Sequence, residues 1–472
     1  MPSFEIYIII KHKWKFLNRQ NRHNMDKIKY LTALLLSKTA RIAIKLSGKS
    51  KATSAPGMLA MKICPDFIKH AANANGGKVI TVTGTNGKTT TTGLLAHIIK
   101  ENSKHIIHNT EGANMLTGIA SALSQGTKFH KKCDYLIFES DEAYLRKLYE
   151  FLRADYLLVT NLFRDQLDRY GELDITYKKI KSAIDENPDL TVFINADDPT
   201  LEDIAAKNKK IYFGLENVTY GYKTKDSQAP AENTACPRCG KPLRYGKRFY
   251  AHIGHYECDC GYKRPQVKYL WNAEVFDSYS ILKINFDDKN YEFKLSMPGL
   301  YNVYNAMGAI SMALELGVSG EVIQNALTSY TSVFGRAEMT KIHGKKVLVQ
   351  LIKNPVGASE VIRQIQGFEN SKLVFILNDN YADGRDVSWI WDADFESLNS
   401  YKGKVYISGT RAYDAALRLK YAGVDTKLFS VEKDIKSTLD KALSEVQNNE
   451  TLLVLPTYTA LLEMQILYKK EK

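Results

Sequence analysis

The sequence predicts an α/β protein built from more than one domain, and three observations carry that expectation. From Lys78 onward, apolar β-branched runs alternate with helical patterns, as in parallel sheets joined by crossover helices. A glycine-rich turn, Gly84-Thr85-Asn86-Gly87-Lys88-Thr89-Thr90, leads the first of those runs into a helical segment, the arrangement of a phosphate-binding P-loop. Two short-spaced cysteine pairs then interrupt the alternation and mark an inserted metal module. The 472 residues, 44% hydrophobic and 25% charged, suffice for two or three domains and a sizeable core, which excludes wholesale disorder.

Taken in order, the chain opens on a basic segment. Twelve Lys and Arg between Lys11 and Lys51 face only Glu5 and Asp26, so this segment supplies most of the net +13. The positive charge is therefore an N-terminal feature and a poor argument for nucleic-acid binding. Phe4–Ile10 is apolar but far shorter than the roughly 18 residues of a membrane span, and a signal peptide fits badly because the charges follow the apolar run. Met25 opens a more ordinary start, so residues 1–24 read as an upstream extension or a mis-called start. Residues 26–50 mix Leu, Ile and Ala with Lys and Arg at helical spacing and end at Gly48. They read as a basic amphipathic helix packed on its own domain, with an anionic membrane surface as the second reading.

Strands are expected at Val79–Val82, Tyr135–Phe138, Tyr156–Thr160 and Thr191–Ile194, with a helix over Met297–Leu316. Residues 222–268, rich in Gly, Pro, Cys and short polar runs, break the pattern as an insertion. Phe334-Gly335-Arg336 reads as a hinge. Beyond it, Lys346–Ile352, Leu373–Leu377, Val405–Ser408 and Leu452–Leu455 give a second set of strands. The expected division is a basic extension and helix over 1–50, a central ATP-binding domain over 51–333, and a separate C-terminal α/β domain of Rossmann-like type over 334–472.

In the glycine-rich turn, Gly84, Thr85, Asn86 and Gly87 let backbone N–H groups approach phosphate oxygens. The helix N-terminus at Lys88–Thr90 favours negative charge, Lys88 reaches the terminal phosphates, and Thr89 can ligate Mg²⁺. The turn departs from strict P-loop spacing, since position 82 is Val; an incidental strand-to-helix turn is the plain alternative. Glu139 closes the run Ile137-Phe138-Glu139, where an α/β sheet presents ligands, and is placed to hold Mg²⁺ or order its water. Cys236-Pro-Arg-Cys239 and Cys258-Asp-Cys260-Gly261 match a four-cysteine zinc ribbon, structural because four thiolates leave no open position; disulfides are the alternative. His252 and His255 then read as packing or surface residues. Thr160-Asn161 opens a polar cluster that runs to Asp165-Gln166-Leu167-Asp168. Asn302 and Asn305, three apart, share a helix face, Asn302 also reading as an N-cap. Asp379, Asp383 and Asp386 crowd one loop, for which simple solubility is the plain reading. Cys64 and Cys133 lie in no recognisable nucleophile motif. The isolated thiols and single metal module suit a reducing cytoplasm.

Several of these residues together resemble the ATP-dependent Mur ligases of peptidoglycan synthesis. They are Gly84–Thr90, Thr160-Asn161, Asp165-x-Leu-Asp168, Asn195-Ala-Asp-Asp-Pro199, Tyr301-Asn302-x-x-Asn305 and Gly335-Arg336-x-Glu338. The four-cysteine insertion, Asn109–Met115 and Asn378–Trp391 resemble a branch of that family that amidates its substrate rather than adding an amino acid. The resemblance runs from about residue 26 to the C-terminus. It implies a Mur-ligase-like central ATPase domain carrying the zinc ribbon, and a C-terminal domain that contacts a GatD-type glutamine amidotransferase. It further implies ATP and Mg²⁺ as cofactors beside structural Zn²⁺. The implied reaction amidates the D-glutamate α-carboxylate of the lipid II stem peptide through an acyl phosphate, in the cytoplasm or at the inner membrane face. By the same resemblance Asn305 and Arg336 contact the nucleotide, and Asp386 completes a Cys–His–Asp arrangement whose other members lie on the partner.

The family's usual His is Gln166 here, its carbamylated Lys has no clean counterpart among Lys178, Lys179 and Lys181, and Lys353-Asn354-Pro355 replaces its amino-acid motif. An amino-acid-adding Mur-type or folylpolyglutamate-synthase-like ligase is the alternative. A nucleic-acid scaffold is a third, opposed by Glu139, Asp165 and Asp168, whose charge repels a polyanion.

Overall fold

The protein was analysed as a computed structural model. It describes residues 25–46, 53–102, 104–109, 113–128, 131–164, 173–221, 234–330, 336–368, 371–447 and 450–468, with the side chains of 336–338 excepted. The hinge expected at Phe334-Gly335, the pair Asp165 and Asp168, Gln166 and the Arg336 side chain therefore lie outside the described residues. The chain forms two compact units, residues 1–81 with 103–155 and residues 82–102 with 156–472.

In the first unit, the helix over 25–46 buries Tyr30, Ala33 and Leu34, with Tyr30 against Phe67 and His70 at ring distances of 5.6 and 6.0 Å. Lys38 Nζ donates to Thr127 O at 2.7 Å, fixing the helix to the end of another. One face of this basic helix is thus packed on its own unit. Helix Ala55–Ile63 crosses helix Leu116–Gly126 at very close range. A Cβ on Gly57 would stand 1.9 Å from Thr117 O. Strand β1 (Lys78–Thr83) begins here, and β2 (Ile106–His108) pairs in parallel with β3 (Tyr135–Glu139).

The second unit holds two sheets. In the first, β4 (Tyr156–Val159), β5 (Thr191–Asn195), β6 (Lys209–Tyr220) and β9 (Tyr269–Val275) run parallel. The strands β4 and β5 are almost wholly buried, as parallel strands covered on both faces require. Strands β10 (Ser280–Phe286) and β11 (Lys289–Leu295) extend β9 as an antiparallel meander whose burial alternates along β9 and β10. Between β6 and β9 the cysteine module forms the hairpin β7 (Arg244–Tyr250) and β8 (Ile253–Glu257). Helix Leu300–Glu315 is buried along nearly its whole length, and Trp271 Nε1 donates to Ser311 Oγ at 3.1 Å across it.

The second sheet follows the order β12-β13-β17-β14-β15-β16, with only the first pair antiparallel. Its strands are β12 (Arg336–Ile342), β13 (Lys345–Gln350), β14 (Leu373–Ile376), β15 (Val405–Ser408), β16 (Phe429–Val431) and β17 (Thr451–Pro456). Apolar clusters cover both faces of this sheet, one including Leu348, Phe375 and Ile407, the other Val347, Ile376 and Tyr406.

Asn302 is not a helix cap. Gly299, at φ +93°, occupies that position, and Asn302 lies inside the first turn with Nδ2 donating to Pro298 O at 2.8 Å. The asparagine amide thereby satisfies a buried carbonyl just ahead of the helix.

Gly57 supplies a test of the close helix crossing. Alanine normally strengthens a helix by about 1 kcal/mol over glycine. Here overpacking wins, and Gly57→Ala is expected to lower stability by about 1–3 kcal/mol in urea unfolding.

Candidate functional site

The glycine-rich loop leaves β1 and enters helix Lys88–Glu101. Gly84 and Gly87 adopt φ +123° and +85°, and neither tolerates a side chain. A Cβ on Gly84 would meet Thr160 Oγ1 at 2.3 Å, and one on Gly87 would meet Asn305 Oδ1 at 1.9 Å. The loop is held by a network centred on Asn86. Its N–H donates to Asn161 Oδ1 at 3.0 Å. Its carbonyl accepts from Thr160 Oγ1 and Asn161 Nδ2, and its side-chain oxygen accepts from Asn354 Nδ2 at 2.9 Å. Thr85 Oγ1 donates to Phe163 O and accepts from Phe163 N–H. Lys88 folds its ammonium back over the loop, 2.6 Å from Gly84 O. Thr89 and Thr90 are buried in the first turn, and no side chain caps the helix N-terminus. The N–H groups of that turn, with the Lys88 charge beside them, form an anion cradle.

The cradle opens into a partly open pocket. Asn86, Gly87, Thr90 and Asn161 form its loop wall, Tyr301, Asn302 and Asn305 its helical wall, and Lys353, Val356 and Glu360 part of the far wall. Asn305 Nδ2 donates to Asn302 Oδ1 at 3.3 Å, so the two asparagines share a face as their spacing predicts. The structure thus brings Gly84–Thr90, Asn161 and Asn305 together. It adds Glu360, Gln350 and Tyr250, which carry no local sequence signal. Glu360 is 5% exposed and pushed up to about 7, by burial and by Asp394, with Arg363 opposing. Burial likewise raises Tyr250 and Tyr304 well above the usual phenol range.

The Asn195–Pro199 segment braces the site from behind. Asp197 accepts from Arg264 Nε, Leu215 N–H and Tyr304 OH, and burial raises its carboxyl despite the arginine. Asp198 accepts from Leu162 N–H and Thr200. Lys181 pairs with Asp185 along its own helix at 3.2 Å.

In the first unit, Glu139 is 3% exposed at the end of β3. Asn109 brackets its backbone, accepting from its N–H and donating to its carbonyl at 2.8 Å, while Asn114 Nδ2 donates to Oε1 at 3.3 Å.

The four cysteines converge. Their sulfurs all lie within 4.8 Å of one another, with Cys236–Cys260 at 3.6 Å and Cys239–Cys258 at 3.5 Å. A tetrahedron with Zn–S bonds of about 2.3 Å has edges of about 3.8 Å, so the donor set fits zinc better than disulfides. Two matching turns present the thiols, with Cys236 N–H bonded to Lys241 O, Cys258 N–H to Tyr262 O, and Gly240 and Gly261 at positive φ. The module is fastened to the brace. Tyr262 OH donates to Pro199 O, and Arg238 pairs with Asp203 and Glu202. Its hairpin tip reaches the pocket through Tyr250. His252 is fully buried beside Asp198 and packs at a tilt against Phe163, and His255 bonds Leu215 O at 2.7 Å.

In the loop after β14, the three carboxylates separate. Asp383 is buried and binds Thr459 N–H at 2.7 Å, and Asp379 binds Thr410 and Arg411. Asp386 alone is exposed, held by Ser388 N–H at 2.8 Å, which keeps its carboxyl below the usual range.

An anion cradle on a parallel α/β sheet beside a second α/β sheet is an arrangement compatible with the Mur ligases, and comparison with known proteins places the chain among them. Residues 82–242 match the Mur ligase middle domain and residues 351–461 match the MurT ligase C-terminal model. The "Lipid II isoglutaminyl synthase (glutamine-hydrolyzing) subunit MurT" of Staphylococcus aureus (strain COL) is 37% identical, covering 92% of this chain and 96% of that protein. The Streptococcus pneumoniae (strain ATCC BAA-255 / R6) protein of the same name is 34% identical over 93% and 96%. A pseudomurein peptide ligase type C from Methanothermus fervidus shares the fold, with a TM-score of 0.66 at 23% identity over 84% and 79%. The chain belongs to the MurT family of Mur ligases, and it is a ligase enzyme.

Glu360 makes stability depend on pH. Its folded-state value near 7 exceeds the usual 4.5, so its contribution is fully present below about 4.5 and is lost as pH rises through 7. Glu360→Gln is expected to match the native protein in denaturant unfolding at pH 4.5 and to exceed it by on the order of 2 kcal/mol at pH 8.

Proposed function

We propose that this chain is the ATP-dependent subunit that amidates the α-carboxylate of D-glutamate in the lipid II stem peptide, giving D-isoglutamine. The observation that carries the reading is the near-full-length similarity to proteins named for that synthase, joined to a match with the family's own C-terminal model. In the proposed reaction, a carboxylate oxygen attacks the γ-phosphorus of ATP, the bond from phosphorus to the bridging oxygen breaks, and ADP leaves. Ammonia then attacks the carbonyl carbon of the acyl phosphate, the carbon–oxygen bond breaks, and inorganic phosphate departs as nitrogen loses a proton. Catalysis of this kind rests on positioning and on charge aimed at the transferring phosphoryl group.

The glycine-rich loop acts as the P-loop. The backbone of Gly84, Thr85, Asn86 and Gly87, with the helix turn at Thr90, cradles phosphate. Lys88 stabilises the charge that develops on the γ-phosphate, and Asn305 faces the nucleoside in the adjoining pocket. Arg336 takes a nucleotide contact and Glu139 a metal-supporting role by the family resemblance. Thr89 would hold Mg²⁺, which would supply charge neutralisation. The second sheet is the Rossmann-like C-terminal domain. Zinc at Cys236, Cys239, Cys258 and Cys260 is structural, its binding energy holding a module too small to fold on a core of its own.

The word "subunit" in the relatives' names supports a partner; neither Cys64 nor Cys133 lies in a nucleophile motif, and the family resemblance makes that partner a glutamine amidotransferase of the GatD type. Asp386, exposed while Asp379 and Asp383 turn inward, is the carboxylate available to complete that partner's Cys–His pair. The substrate's lipid anchor makes the chain a peripheral protein of the inner membrane face.

Mass spectrometry of lipid II after incubation with Mg-ATP tests the reading. Conversion of carboxyl to carboxamide supports it, and a residue-sized mass gain with amino acids supports the amino-acid-adding alternative. Lys88→Ala is expected to cut amidation at least about 10³-fold with ammonium and with glutamine plus partner alike. Asp386→Asn is expected to damage the glutamine reaction and to spare much of the ammonium reaction. Equal loss with both nitrogen sources would remove Asp386 from the partner's site. Cys236→Ser is expected to abolish zinc binding and lower the melting temperature by several degrees; a zinc-free variant of unchanged melting temperature would contradict a structural metal.

A further inference from the structure

The helix over residues 25–46 has two apolar faces, and its unit uses only one. Tyr30, Ala33 and Leu34 are buried. On the opposite side, at about 100° per residue, Met25, Ile28, Leu35, Ile42 and Leu46 are 55–83% exposed. With Thr32 and Thr39 they recur at alternating steps of three and four, and no charged residue interrupts the stripe. Exposed Leu36 and Ala43 widen it on one side. An exposed apolar face about 33 Å long marks an interaction surface.

The flanking charge selects the occupant. Exposed Lys29 borders the stripe on one side and exposed Lys27 and Lys45 on the other, while the helix's single acid, Asp26, lies on the packed side. A second copy of the helix would set lysines against lysines without acidic partners, the reverse of a stable helix pair. An anionic surface meets the lysines on both borders favourably. Residues 11–22 add five further Lys and Arg ahead of the helix. A wide charge-free face bordered by lysines is the pattern of a helix lying in the plane of a membrane. Among the described residues, no helix is long and apolar enough to cross one.

We propose that the helix over residues 25–46 lays its Ile28–Leu35–Ile42 face into an anionic lipid surface and holds the chain at the membrane. The proposal rests on the function given above only in naming that membrane as the place where the lipid-linked substrate resides.

The test uses the full chain with phosphatidylglycerol-containing vesicles, phosphatidylcholine vesicles and buffer alone. The native protein is expected to co-sediment with the anionic vesicles and to release as salt rises. The triple variant Ile28→Glu, Leu35→Glu, Ile42→Glu, at exposed positions and with its fold checked by circular dichroism, is expected to bind at least about tenfold more weakly. Its amidation of vesicle-embedded lipid II is expected to fall about as far, with a water-soluble stem-peptide analogue turned over at the native rate. Failure of the native chain to bind, or equal binding by the variant, overturns the proposal. So does a native dimer in sedimentation velocity that the variant abolishes, since a second copy would then cover the face. The soluble analogue reports on the ligase reading by itself, so the two can fail separately.

Discussion

The site depends on one residue's backbone. Asn86 has its N–H, its carbonyl and its side-chain oxygen all bound, by Asn161, Thr160 and Asn354. Those partners come from the segment after β4 and from the segment after β13, so one residue fixes the glycine-rich loop against both sheets of the second unit. The loop's shape follows. Gly84 and Gly87 must be glycine because Thr160 and Asn305 occupy the space a Cβ would need. The ammonium of Lys88, drawn back onto Gly84 O, is parked where an incoming phosphate can take it over. Buried hydrogen bonds of this kind contribute about 1 kcal/mol each, but leaving one partner unmatched costs more, which makes the network rigid rather than merely stable.

The cysteine module shares this rigidity. It inserts between β6 and β9, yet its hairpin tip returns to the pocket wall through Tyr250. Arg363 of the C-terminal domain donates to Phe249 O at the same tip. Asp197 ties the module's Arg264 to Tyr304 of the central helix. On the proposed reading, a metal held by the cysteines would stiffen a wall of this pocket from a distance.

Much of this is legible in the sequence for identifiable reasons. Parallel strands buried on both faces read as continuous apolar runs, so β1, β3, β4, β5, β14, β15 and β17 announce themselves. The antiparallel strands β10 and β11 and the start of β6 do not, because their side chains alternate between core and solvent and mix Lys, Asn and Glu with Tyr and Phe. The glycine loop and the cysteines are visible because their chemistry needs fixed residues at fixed spacing. Glu360 carries no such mark, and Asn354 is marked only as a departure from the family's motif, not as a partner of Asn86. Their importance comes from the packing of one sheet's loops on another, which no local spacing encodes. Asn302 reads wrongly as a cap because a buried asparagine that serves a proline carbonyl has the same residue type as one that serves an N-terminus. Asp386 resembles its neighbours in sequence; only the fold separates the one exposed carboxylate from the two that are structural.

The proposed chemistry turns on an acyl phosphate formed at the stem-peptide carboxylate. The most direct measurement follows heavy oxygen from that carboxylate in lipid II during a reaction with Mg-ATP and ammonium. The account predicts one labelled oxygen in the inorganic phosphate for each carboxamide formed. Carboxamide formed with unlabelled phosphate, or labelled carboxylate left intact while ATP is consumed, would contradict it.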